Sequence, residues 1–243
     1  MAKNLKPGEK PILFSGPMVQ AILNTRPSVW PPEPIDPAKP LKWQTRRLPS
    51  KRVIDKWYEY DDWCNAVRTY EKSFYEHYPP CEVGQRLWVR EKWGDIGSYD
   101  DGNGYRTHYA CAADFAYGTG FHEYSGDLYV EDEIHWKPPR FMPKAAARIW
   151  LEVKNVAITR LQDISVEDCL AEGIEIQFPH PKPPYISLAY GKQVLKPAYI
   201  DAYQTLWEST IQKKDLPLYG WNANPWVWVY EFGRAALEDS GMP

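Results

Sequence analysis

The sequence predicts an α+β protein: a mixed or closed β-sheet with helices packed at its ends and loop-rich insertions around it. Three observations lead there. "RIWLEVKNVAI" (148–158) and "NPWVWVYEF" (224–232) alternate apolar and polar or aromatic residues with period two, the pattern of sheet strands. "SVEDCLAEGI" (165–174) and "AYIDAYQTLWEST" (198–210) carry helical spacing instead. Strands and helices do not alternate as a repeating βαβ unit, which sets aside a doubly wound parallel sheet.

The elements follow in order. Pro11–Phe14 reads as a short buried strand. Gly16-Pro17 turns the chain, with Pro at the first position of a helix that runs to about Thr25 through Met18, Val19, Ile22 and Leu23. Residues 26–40 hold six prolines and read as an extended loop. "LKWQTRRL" is a strand or the start of one. The charged, aromatic stretch 50–80 leans to helix and is ended by Pro79-Pro80. After a turn at Gly84, Leu87 and Val89 alternate with Arg86, Trp88 and Arg90 as a strand does. "GDIGSYDDGNG" reads as a loop, "YRTHYACAADF" as a strand, and 116–130 as a loop and hairpin. In the strand at 147–154, Asn155 marks a bulge or bend, after which Val156 and Ile158 continue. Ser165 caps the next helix, with Asp168 three residues on completing a capping box and Gly173 ending it. Residues 175–197 read as Pro-rich and irregular. No linker divides the chain, so one domain is expected over 1–243, with insertions near 26–40, 50–80 and 175–197.

Composition bounds the function. The 243 residues suffice for one domain with a proper core, and 44% hydrophobic with 25% charged residues is ordinary for a globular chain. Twelve Trp and 23 Pro are not ordinary, and indoles build surfaces that stack on flat ligands as well as cores. A net charge of −3 argues against a general nucleic-acid coat while leaving room for a local basic groove. Cys64, Cys81, Cys111 and Cys169 form no C-x-x-C pair, and none sits beside one of the scattered histidines at ligand spacing, so reduced, packed thiols are expected and no metal or other cofactor. No apolar run approaches the ~20 residues of a membrane span, and the polar start "MAKNLKPGEK" has no apolar stretch after it. The expectation is a cytoplasmic protein without a membrane partner.

The chemistry concentrates in "KWQTRR" (42–47). Between Asp36 and Asp55 there are no acids but six cations, Lys39, Lys42, Arg46, Arg47, Lys51 and Arg52. This is either a solvated basic face or, with Trp43 inside it and Arg90, Lys92 and Trp93 as a second cationic-aromatic cluster, a site for a phosphate-bearing base. Lys42 and Thr45 are three apart. On a strand such residues face opposite sides, and they converge only where the chain turns. A lysine acts as a base when desolvation and cations such as Arg46 and Arg47 lower its pKa, and a threonine hydroxyl attacks only when a base takes its proton. Glu152 stands on the face of its strand opposite Leu151 and Val153. It is either exposed or turned into a pocket, where it could protonate a leaving amine.

"ILFSGPMVQAIL…KWQTRRL", "VGQRLWVRE", "PKAAARIWLEV…VAITRLQDISVEDCLAEGI" and "NPWVWVYEF" together resemble the ASCH-domain proteins of phages and prophages, over about residues 11 to 233. The resemblance implies a PUA-like β-barrel. A bacterial branch of that superfamily hydrolyses N4-acetylcytidine with a Lys and a Thr from a Gly-Arg-Lys-Thr-x-Thr motif and a Glu on a later core strand. Carried over, this implies Lys42 as base, Thr45 as nucleophile and Glu152 as proton donor, without metal. Trp43, Arg46, Arg47, Arg90 and Trp93 would contact a modified nucleoside or nucleic acid. The chain departs from the motif: Trp43 replaces its first threonine, and the Pro-rich stretch ending "AKPL" replaces its Gly-Arg. The alternative is a PUA-like reader that binds RNA or a modified base without chemistry.

Overall fold

The computed structural model describes residues 8–64, 71–100, 105–114, 121–124, 127–130, 134–176 and 188–236. Its contacts divide the chain into two compact units. The first comprises Met1–Asp36, Gln85–Glu152 and Gly233–Pro243; the second comprises Pro37–Gly84 and Val153–Phe232.

In the first unit, β1 (Lys10–Leu13) pairs parallel with β3 (Arg86–Arg90), whose other edge pairs antiparallel with the start of β9 (Trp150–Arg160). Ser15 precedes α1 (Gly16–Leu23), where Pro17 sits in the first turn and loses no helical hydrogen bond. Val19 and Ile22 on its buried side are wholly covered. β4 (Trp93–Asp100) is flanked by β5 (Tyr105–Cys111) and β8 (Trp136–Lys137), and β6 (Phe121–Tyr124) and β7 (Asp127–Val130) form a hairpin. Buried Glu91 takes a two-pronged pairing from Arg148, at 2.9 and 3.1 Å, and Arg148 also reaches Asp114.

In the second unit, the rest of β9 lies beside β10 (Trp226–Arg234), which pairs antiparallel with β2 (Gln44–Arg47). α2 (Lys51–Cys64), α3 (Glu71–Glu76), α4 (Val166–Ala171), α5 (Leu188–Thr210) and α6 (Leu216–Tyr219) complete it. Its apolar core joins Leu161, Ile164, Cys169, Ile174, Tyr203, Trp207 and Val227.

The α+β class holds, and the segments expected as strands at 86–91, 147–154 and 226–232 each carry a strand. The closed form does not: β1 and β2 are outer strands, and no barrel closes among the described residues. Two local readings change as well. "GDIGSYD" is strand, not loop, because β4 is paired on both edges and Gly94 packs against the Ile134 side chain, a contact that leaves no room for a Cβ. Residues 188–197 are helical, since α5 begins ten residues before the amphipathic stretch and carries Pro197 within it. The remainder of the 175–197 insertion, 177–187, lies outside the described residues. In β9, burial shifts from odd positions, Leu151 and Val153, to even Ile158 across exposed Asn155, where the bend was expected. Among the described residues, no helix is long and apolar enough to cross a membrane.

The capping box of α4 forms as expected. Ser165 Oγ accepts the Asp168 N–H at 3.0 Å, and Asp168 Oδ2 accepts the Ser165 N–H at 2.9 Å. Ser165→Ala should lower stability by about 1 kcal/mol, read as a shifted urea midpoint with unchanged slope.

Candidate functional site

The site grows from the junction of α4 and β2 in the second unit. α4 ends at Glu172, and Gly173 continues at φ +85°, a left-handed conformation suited to glycine. Trp43 is held on both sides: its N–H donates to Ala171 O and its carbonyl accepts the Phe232 N–H, each at 2.9 Å. That clamp turns Lys42 under the C-terminal end of α4.

Lys42 is fully buried. Its ammonium donates to Gln44 O at 2.9 Å, Glu172 O at 2.8 Å and Glu172 Oε2 at 2.7 Å, so all three protons have acceptors. One of these is a carbonyl at the helix end, where a cation is favoured. The other Glu172 oxygen faces Arg46 Nη1 at 3.5 Å, and Arg46 Nη2 pairs with Asp168 Oδ2 at 3.0 Å. Gln44 Nε2 donates to Asp168 Oδ1 at 3.0 Å. The result is two cations and two carboxylates interlocked, with the Arg46 guanidinium 6.0 Å from the buried Tyr203 ring.

Burial drives the electrostatics. It lowers the pKa of Lys42, with Arg47 and Arg46 adding to the effect and Glu172 opposing it. Burial likewise lowers Arg47 and raises Tyr203 well above its ordinary value. Burial also pushes the Asp168 carboxyl up, but the Ser165 backbone, Gln44 and Arg46 outweigh it and hold the group below its ordinary value. Burial-shifted ionisable groups gathered at one junction mark a candidate site.

The residues expected at the site divide between the units. Lys42, Trp43, Thr45, Arg46 and Arg47 belong to the second; Arg90, Trp93 and Glu152 belong to the first. Within β2, Thr45 is in register with Tyr230 and Arg47 with Trp228, while Gln44 and Arg46 alternate with them toward α4. Thr45 is buried and out of phase with Gln44 and Arg46, as strand alternation warned. Arg46 serves inside the ion cluster and not at a rim. Glu152 is half-buried and in register with Arg86. Trp93 is buried among Cys111, Met142 and Ala146, its ring edge-on to Tyr109 at 5.6 Å and covered by Lys137 at 4.7 Å, so it is core and not a stacking platform. Arg90 lies over Trp88 at 4.5 Å and donates to Arg140 O.

Sequence reasoning missed Glu172. A signal was present: Glu172 follows Val166 and Cys169 at three-residue steps, which puts a carboxylate on the apolar stripe of α4. A cleft of about 530 Å³ also opens in the second unit between Lys72–Glu76, the segment around Cys81, and Val156–Ile158, and Trp228 lines it. No protein-family model, curated protein or solved structure matches this chain.

Proposed function

We propose that the protein is a PUA-like amidohydrolase that removes an acyl group from N4-acylated cytosine nucleosides or related modified bases. The observation that carries this is the buried Lys42–Glu172 pair. Amide hydrolysis needs an acceptor for the proton of the attacking oxygen and a donor for the departing nitrogen. Lys42, its pKa lowered by burial, supplies the first, and Glu172 supplies the second in the place the sequence reading gave to Glu152. Thr45, the nucleophile of the sequence reading, lies on the β2 face opposite Gln44 and Arg46, so the attacking oxygen is assigned to a water molecule. Arg46 fixes the Glu172 carboxylate, and Arg47 is the cation two residues from Thr45 on the same face of β2. The cytosine ring withdraws electrons from N4, so its amide is easier to cleave than a peptide, and an acid–base pair without metal suffices.

A second reading rests on one specific observation. All three Lys42 protons are accepted within the protein and its surface is fully covered, which is the geometry of a structural pin. On that reading the protein binds modified bases or RNA and does no chemistry.

Incubation with N4-acetylcytidine, followed by chromatography for cytidine and acetate, separates the two. The expected result is stoichiometric release of both products, undiminished by chelator. Binding of the acylated nucleoside without cleavage over many hours would leave only the second reading.

A further inference from the structure

We propose that the cleft in the second unit binds a small organic cation, an amine with an aromatic or branched aliphatic body. The cleft shares no residue with the Lys42 cluster and does not depend on the hydrolase reading. Trp228, which lines it, is in register with Arg47, whereas Arg46 alternates to the face where the cluster lies.

A strap of chain pinned to the sheet at both ends builds the cleft. At one end Glu71, the first residue of α3, accepts the Trp226 indole N–H at 2.9 Å and faces Arg160 Nη2 at 3.5 Å. The Arg160 guanidinium lies 4.3 Å from the Trp226 ring and closes this pin. At the other end the Gly84 N–H donates to Val153 O at 2.8 Å. Val156, Ala157 and Ile158 lie on β9 between Val153 and Arg160, and the strap passes over them. Buried Tyr75 seats α3 against Trp57, with ring centroids 6.3 Å apart. Lys72 and Glu76, four residues apart and paired at 3.8 Å, stand on the neighbouring side of the helix and line the cleft. The space enclosed is about 530 Å³, within the range of roughly 300–1,000 Å³ that small-molecule sites occupy.

The lining selects the occupant. Val156 and Ala157 are only half-buried although they lie mid-strand, so aliphatic surface on β9 stands partly uncovered. Pro79 and Val83, the latter 66% exposed, add apolar surface from the strap, and buried Cys81 and Trp228 close the floor. Such a floor takes an apolar body. The charged lining is Lys72, Glu76 and Glu82, two carboxylates against one ammonium. Lys72 answers Glu76, so the cleft carries one negative charge in excess. A cationic ligand balances that charge. A carboxylate ligand would meet two like charges for one opposite charge, and a neutral ligand would leave the excess as it is.

The test is isothermal titration calorimetry of the full chain at neutral pH and low salt, with three probes of similar shape: 2-phenylethylamine, 2-phenylethanol and 3-phenylpropionate. The expected result is saturable binding of the amine, about three- to fivefold tighter than the alcohol and tighter still than the carboxylate, the gain that one partly exposed charge contact supplies. Glu82 is exposed, so Glu82→Gln should weaken the amine about three- to fivefold at an unchanged melting temperature. Lys72→Gln should leave the amine bound as tightly or more so. Ala157→Phe should abolish binding by filling the cleft, and if that variant fails to fold, Glu82→Gln decides alone. Three outcomes overturn the proposal: no saturable binding of the amine, the alcohol or the carboxylate bound as tightly as the amine, or an amine affinity unchanged in Glu82→Gln.

Discussion

Glu172→Ala is expected to destabilise the protein by about 3–5 kcal/mol, among the largest losses any single truncation here should produce. The reason is what remains. Lys42 keeps the Gln44 and Glu172 carbonyls but loses the Glu172 carboxylate, at full burial. Among the described residues, Arg46 falls back on Asp168. Leaving a buried cation unpaired costs far more than the net worth of the pair. Glu172→Gln should cost less, because an amide oxygen can still accept from the ammonium. The pH dependence has a definite sign. In wild type Lys42 already holds its proton less tightly than the ordinary 10.5, and removing Glu172 removes the influences that oppose this. The unfolded chain then binds more protons than the folded one between the lowered pKa and 10.5, so stability rises with pH across that window. The deficit of Glu172→Ala relative to wild type should therefore be larger at about pH 7 than at about pH 9.5 in urea unfolding. An equal deficit at both would mean that Lys42 is not the group left stranded.

Much of the fold was legible because local pattern and tertiary demand agree. β9 and β10 alternate as strands do and are strands; Ser165 and Asp168 spell a capping box and form one. Where they disagree, the sequence misleads. β4 is rich in the Gly, Asp and Ser of turns, and only its pairing with β5 and β8 makes it a strand, a case of tertiary context overriding propensity. Alternation shows that a strand has two faces, but whether outer strands such as β1 and β2 meet to close a barrel is decided by contacts distant in sequence. The site divides in the same way. That Lys42 stands beside arginines was readable from "KWQTRR", while a solvated face and a desolvated site both fitted the pattern. Its carboxylate was not, because Glu172 lies 130 residues away and reaches Lys42 only through the clamp of Trp43 between Ala171 and Phe232. Trp93 reads as an aromatic platform next to cations, and the buried company of Met142 and Cys111 that makes it core lies on other elements.

Lys42→Met combined with Glu172→Leu should fold close to wild-type stability and yet lose at least about 10²-fold in turnover of N4-acetylcytidine, and the combination is informative because the two readings of the pair part company there. Replacing a buried ion pair with apolar residues of similar volume is often neutral or stabilising, since the desolvation of both charges is avoided. Here Asp168 still pairs with Arg46 at 3.0 Å, so removing one cation and one carboxylate keeps the cluster neutral. Neither single variant has that property: Lys42→Met leaves Glu172 to Arg46 at 3.5 Å among the described residues, and Glu172→Leu removes the carboxylate from Lys42. A loss of turnover in a single variant could therefore reflect damage to the fold. In the double variant it could not, because melting temperature and near-ultraviolet dichroism would report an intact core while general acid–base chemistry, worth 10² to 10⁴-fold, has been taken away. If the double variant folds and still releases cytidine at the wild-type rate, the pair is a pin between α4 and β2, and the proton transfers belong to other residues.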